Sequence, residues 1–400
     1  MKNTILKYLT ENSITATELE QLIHWLKKPE NLKEFQAYIK ENYHLNMVYD
    51  VIDDEAALQK VKRAIKNQEK PVRSFYLRYA AAAAVFIGVL ATGYFFRGNI
   101  FNTTIETTPI IVNNQIETGT DKAKLTLASG EEITLIKGAS FQSANATSNG
   151  EEIVYQETRN QKPETRNQIT YNTLTIPRGG QFTMTLADGT QVWLNSETQI
   201  KYPVAFTKGE TRQVELIYGE AYFDVSPSTA HKGASFKVVS PSLTSLRGTK
   251  QSVNNNQIIE VLGTEFNLKA YKDETTLYTT LVEGKVRVHY GDQSNTLLPG
   301  QQAVLHSTQQ QMEIKQVNPH RETAWRHGEF MLAHKTLKEI MQVLSRWYDM
   351  EVRFTRPELG EVRFVGVLGK DQTIVEILNT IKSFGVINDY KINNKTVTLM

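Results

Sequence analysis

The sequence predicts a multi-domain membrane protein: a small all-α domain, one transmembrane helix, a mainly-β region and a C-terminal α+β domain of βαβ-βαβ-like form. Three observations carry that expectation. Residues 79–96 hold no charge, the residues before them repeat at helical spacing, and the residues after them alternate at strand spacing until a mixed pattern begins near residue 325.

Composition sets the bounds. A chain of 400 residues, 22% charged and 40% hydrophobic, is foldable and long enough for several domains. A formal net charge of +2 supplies no global basic field, so direct nucleic-acid binding is not expected. The absence of cysteine removes disulfides, zinc-thiolate sites and thiol catalysis, and leaves the compartment to be read from topology.

The first element, residues 1–70, reads as short helices. Overlapping capping boxes at Thr15 to Glu18 and Thr17 to Glu20 open the clearest of them. Leu19, Leu22, Ile23 and Leu26 then fall on one face, which stops at Pro29 and resumes with Leu32, Phe35 and Ile39. So small a domain carries little core, which predicts a partner over its apolar face, with Leu22, Trp25, Leu26 and Phe35 as anchors.

The second element is the span itself. Its 18 residues reach roughly 27 Å as a helix, near the lower limit for the hydrocarbon core. The helix-patterned sequence before it argues against a cleaved leader. Lys60, Lys62, Arg63, Lys66, Lys70, Arg73 and Arg78 precede the span and only Arg97 follows closely, which predicts a single-pass protein with its amino end in the cytoplasm.

Beyond the span, residues 97–170 are expected to be a linker with a β-hairpin, and residues 171–317 a β domain. Residues 124–135 (KLTLASGEEITL) and 183–194 (TMTLADGTQVWL) share one form: an alternating strand, a turn of Ser-Gly or Asp-Gly, and a second alternating strand. The polar stretch 143–172, in which ETRNQ of residues 157–161 recurs at 164–168, reads as a loop. Residues 325–400 then place a strand near Glu329, a helix carrying Leu337, Ile340, Met341, Leu344 and Trp347, and a strand near Met350. A strand at 361–367, a helix carrying Ile374, Ile377, Leu378 and Ile381, and two closing strands complete the second unit.

Five stretches in order, from residues 177–206, 212–225, 260–271, 279–288 and 297–305, resemble the ferric-citrate-regulator (FecR) family of transmembrane anti-sigma factors. WRHGEFMLAHKTLKEIMQVLSRWYDMEVRF, residues 325–354, is similar to the C-terminal domain found on such regulators of the Bacteroidetes type. Two departures stand out: residues 243–256 look like an insertion between strands, and Ile217 and Tyr218 add one residue before Gly219, which a β-bulge would absorb.

The resemblance implies that the helical domain sequesters an extracytoplasmic-function sigma factor. It also implies that the outer region receives a signal from the signalling domain of a TonB-dependent outer-membrane transporter, bearing on iron or glycan uptake. It further implies self-cleavage at Gly263-Thr264, where the Thr264 hydroxyl could attack the preceding carbonyl. The plainer reading of that step is a glycine at a bulge beside an ordinary β-forming threonine.

An enzyme is not expected. The chain has no HExxH, GxSxG, GxGxxG or Walker A pattern, and no cofactor is implied. His320, His327 and His334 recur every seven residues, but Gly328 breaks any helix that would align them, so no metal site is expected. Asp188, Glu220 and Asp224 read as surface acids rather than an acid and base pair. The rival function class is a membrane-anchored periplasmic carbohydrate-binding or structural β protein, which has no use for a patterned helical domain before the span.

Overall fold

The computed structural model divides the chain into two compact units, Met1–Glu106 and Thr107–Met400. It describes Trp25 and residues 110–156, 169–241, 256–306 and 309–400. Trp25 is helical and half-buried. The rest of the expected helical domain, the span at 79–96, the tandem ETRNQ repeat and residues 242–255 lie outside the described residues. Among the described residues no helix is long and apolar enough to cross a membrane.

The β region is one hydrogen-bonded system folded into two layers over a common core; the long strand Arg212–Asp224 runs through both, and Thr120–Thr126 joins them again through Gly180–Thr185. Residues 212–218 of that strand pair within one sheet, beside Thr198–Pro203 and Phe236–Ser240. Residues 219–224 pair within the other, between Gln191–Leu194 and Glu265–Ala270. The transfer occurs at Gly219, whose φ of 104° is open to glycine and whose absent Cβ would sit 2.3 Å from the Thr198 hydroxyl oxygen. Pairing jumps from Gln199 opposite Tyr218 to Ile200 opposite Leu216, so Ile217 is the extra residue and the expected bulge is present.

Alternation makes the layers. Tyr171–Ile176 buries Asn172, Leu174 and Ile176 and turns the residues between them outward. Both expected hairpins form, with Gly130 at φ 88° and Gly189 at φ 83° in the turns.

One expectation about this region is corrected. The stretch 143–172 is not simply a loop: Ala146–Ser148 and Glu152–Tyr155 pair antiparallel, and Glu152–Tyr155 runs parallel to Gly180–Thr185. Strand pairing crosses the expected boundary at residue 171, since Thr120–Thr126 pairs with Tyr171–Ile176 and with Gly180–Thr185.

The C-terminal part has its own core. Helix Leu337–Trp347 starts at a capping box of Thr336 and Glu339, and helix Ile374–Ser383 at one of Thr373 and Glu376. The strand expected at 361–367 is interrupted at Gly366, φ 146°, into Arg363–Phe364 and Val367–Gly369. Three pairings cross the two expected units: Glu329–Met331 with Val367–Gly369, Lys335–Thr336 with Arg363–Phe364, and Glu351–Phe354 in parallel with Thr396–Leu399; only the closing hairpin, Tyr390–Asn393 with Thr396–Leu399, pairs within one.

The domain also reaches outside residues 325–400. Strand Ile110–Val112 forms an edge of its four-stranded sheet, running parallel to Tyr390–Asn393. Ile116 is buried in its core, a contribution of about 1.5–3 kcal/mol. Gly119 passes so close to Trp347 that a Cβ would come within 2.5 Å of the indole.

Candidate functional site

The β region and the C-terminal domain meet along a charged, largely buried seam. At its centre is Arg346 of helix Leu337–Trp347, with a side chain only 3% exposed. Its guanidinium lies 2.6 Å from Asp273 and 3.0 Å from Glu274, and stacks 3.6 Å over the Tyr271 ring. Three β-region side chains are thus gripped by one planar fork, geometry that a lysine could not reproduce. Burial pushes the Asp273 carboxyl up, but the guanidinium and the Gln342 amide outweigh it and the net shift is downward.

A second arginine completes the clamp from the opposite side. Arg178 donates to the carbonyls of Ser345 and Met350 at 2.8 and 2.7 Å, and Gly179 N–H donates to the Arg346 carbonyl at 2.7 Å. Those carbonyls close the C-terminal end of the helix, where a cation is favoured by the exposed backbone dipoles. Glu197, held at φ 58° in a turn, stands 3.8 Å from Arg178 and 3.6 Å from Arg346, so one strained residue serves both arginines.

Beside the clamp a cleft of about 490 Å³ opens between the two parts. Its β-side wall holds Glu220, whose carboxylate accepts from Asn267 at 3.0 Å and Asn195 at 2.9 Å. Trp325 donates its indole N–H to Asn267 at 3.3 Å. Met331, Val343 and Leu344 form the facing wall.

Lys370 bridges the two parts elsewhere along the seam. Its ammonium donates to Gln181 at 3.1 Å and lies 4.3 Å over Trp347, with Trp325 and Phe330 at 5.5 and 5.9 Å. Burial lowers its pKa to about 8, against the opposing pull of Glu220 and Asp121. The aromatic faces favour the cation by about 0.5–2 kcal/mol and so offset part of that burial.

The residues singled out from sequence are distributed differently. Gly263 has φ 147°, and a Cβ there would come 2.9 Å from the Pro227 Cα, so the site is a close approach that demands glycine. Thr264 is buried; its hydroxyl donates to the Lys285 carbonyl at 3.1 Å and its own carbonyl accepts from Val225 at 3.1 Å. Of the sigma-binding anchors only Trp25 is described; Leu22, Leu26 and Phe35 lie outside the described residues.

Two of the acids read as exposed are not. Asp188 and Arg212 form a buried ion pair at 2.7 Å, with side chains 2% and 1% exposed, and Asp188 also accepts from Thr190. Glu220 is buried in the seam, whereas Asp224 is exposed as expected. Among the described residues no group of three His, Cys, Asp or Glu side chains is placed to hold a metal.

Arg346, Arg178 and Lys370 were not anticipated. Arg346 follows an apolar helical stripe with no local sign of burial, because its partners lie some 70 residues away in sequence.

What the seam can do is mechanical. Its charged clamps tie the C-terminal domain to the β region.

Comparison with known proteins agrees with that division. The family model described as FecR protein matches residues 172–287, and the one described as FecR, C-terminal matches residues 329–399. Two crystal structures of a candidate anti-sigma factor from Parabacteroides distasonis ATCC 8503, at 1.65 and 2.50 Å resolution, are similar at 25% and 26% identity. Each match covers 57% of this chain and 98% of the other, with a TM-score of 0.48. No curated protein matches the chain.

Proposed function

We propose that this chain, which belongs to the FecR family by its two matched domains, is an anti-sigma regulator of the inner membrane. The observation that carries the reading is the pairing, in family order, of a FecR domain with a FecR C-terminal domain on a chain that begins with helix-patterned sequence. Residues 1–70 sequester an extracytoplasmic-function sigma factor in the cytoplasm through Leu22, Trp25, Leu26 and Phe35. Residues 79–96 cross the membrane once, and the β region and C-terminal domain lie in the periplasm.

In this account the C-terminal domain receives the signalling domain of a TonB-dependent transporter. The arginine clamp supports such a relay, because a domain held by buried charge pairs moves with its neighbour rather than independently of it. Self-cleavage at Gly263-Thr264 is part of the same proposal, and it requires the Thr264 hydroxyl to leave the Lys285 carbonyl to which it donates at 3.1 Å. Direct nucleic-acid contact, a metal and a cofactor have no part in the mechanism.

The sigma-factor role is tested with the full-length tagged chain extracted from its own membranes. A sigma factor should co-purify with the native chain and be lost on Leu22→Asp with Leu26→Asp; a native preparation free of any sigma factor contradicts the assignment. Topology is tested by alkaline phosphatase fusions, which should be active after Phe101 and silent after Lys70. The reverse pattern would invert the mechanism.

A further inference from the structure

The strand Ile110–Val112 has no place in the role assigned above, yet it is the first described segment after the proposed span. It pairs in parallel with Tyr390–Asn393 through three residue pairs: Ile110 with Lys391, Ile111 with Ile392 and Val112 with Asn393. Asn394 continues the contact, donating its N–H to the Val112 carbonyl at 3.2 Å and accepting from the Asn113 amide at 3.0 Å. The hold is shallow. Ile110, Ile111 and Val112 are 52%, 45% and 48% exposed, large β-branched side chains that a settled strand would bury.

The other three strands of the sheet are also paired with one another. Ile392, Val397 and Leu399 are fully buried, and a three-stranded sheet with an apolar face is enough for such pairing. The opposite edge, Glu351–Phe354, is protected differently: Glu351 and Arg353 are exposed on it, the charged device that discourages strand addition. One edge of the domain is therefore blocked by charge, and the other is occupied by a short, half-exposed apolar segment of the same chain.

We propose that the Tyr390–Asn393 edge is a strand-exchange site, held at rest by Ile110–Val112 and taken over by an extended, β-branched apolar segment of the transporter's signalling domain. The occupant's chemistry is read from the strand already there, since an edge that accepts Ile-Ile-Val in parallel accepts a segment of like character by the same backbone hydrogen bonds. Exchange would free the segment that leads to the membrane. Residues 110–115, up to the buried Ile116, then add roughly 20 Å of reach at about 3.3 Å each. The identity of the partner rests on the function proposed above; the exchange itself does not.

Because the protein has no cysteine, introduced cysteines report without interference. In the first arm, a peptide of residues 108–116 with cysteine in place of Ile110 is offered to the full-length chain carrying Lys391→Cys. A mixed disulfide is expected there and not with Arg353→Cys on the opposite edge. Equal or no capture by the two chains overturns strand exchange, whatever the protein regulates.

In the second arm, Ile110→Cys with Lys391→Cys locks the resting strand, and Arg353→Cys with Thr398→Cys locks the other parallel pair as a control. Oxidised, the first chain should lose induction of a sigma-dependent reporter by tenfold or more and regain it on reduction, while the control is induced normally. Normal induction of the first locked chain, loss in both, or a disulfide-linked dimer assigning the edge to a second copy would overturn the partner role. A native chain with no influence on the reporter removes the anti-sigma reading instead and leaves the peptide result standing.

Discussion

Replacing Arg346 by alanine tests whether the clamp joins the β region to the C-terminal domain. The substitution removes a guanidinium that is 3% exposed and contacts Asp273 at 2.6 Å, Glu274 at 3.0 Å and the Tyr271 ring at 3.6 Å. Breaking a buried pair by deleting one partner typically costs about 3–5 kcal/mol. Here the loss is smaller, because Glu274 keeps Lys269 at 2.9 Å and Asp273 is half-exposed and regains water. A cost of about 2–3 kcal/mol follows. For the segment Thr107–Met400 that is a fall in melting temperature of roughly 3–5 °C.

Scanning calorimetry of the unit Thr107–Met400 reads the change. The variant should melt lower, with the C-terminal domain separating as an earlier transition, and Arg346→Lys should fall between because it keeps the charge but not the fork. A single transition within about 1 °C of native would refute the clamp. Acid gives a second handle. The Asp273 carboxyl lies below its usual range, so its contribution is complete above that range and disappears as pH falls through the lowered value. Native protein should lose the coupling in acid, and Arg346→Ala should lack that sensitivity.

The remaining predictions concern another point along the seam and the Gly-Thr step. Lys370 has a folded pKa of about 8, below its ordinary value of 10.5, so between those values the unfolded chain holds more protons and native stability should rise with pH. Lys370→Met should abolish that rise in pH-dependent melting; a native curve flat across the window would show that the amine is not desolvated. Thr264→Ala removes the hydroxyl at small steric cost, so immunoblots of tagged protein should show two fragments for the native chain and one full-length band for the variant. A single full-length native band, with and without inducer, ends the cleavage proposal.

What was legible in the sequence was local. The two hairpins declare themselves because Ser-Gly and Asp-Gly supply positive φ between alternating strands, and the C-terminal helices because Thr336 with Glu339 and Thr373 with Glu376 form capping boxes. The bulge at Ile217 could be inferred from one surplus residue.

What failed was non-local or disguised by polar composition. Residues 146–148 are Ala, Thr and Ser, yet they form a strand because the Ser148 hydroxyl satisfies the Glu152 carbonyl at 2.6 Å and neighbouring strands supply the ladder. Asp188 looks like a solvated turn residue, and only folding brings Arg212 against it in a buried pair. The seam has the same character: Arg346 meets Asp273 and Glu274 across the domain boundary, and Asn113 meets Asn394 across 281 positions. No periodicity in one segment encodes a partner that far away.

The central claim is that a signal received by the C-terminal domain outside releases a sigma factor inside. Removing residues 325–400 from the full-length chain separates the two halves of that claim. The sigma-dependent transcript should stay repressed in the truncated strain and should no longer rise when inducer is added, while the native strain responds. Normal induction without the domain would contradict the account.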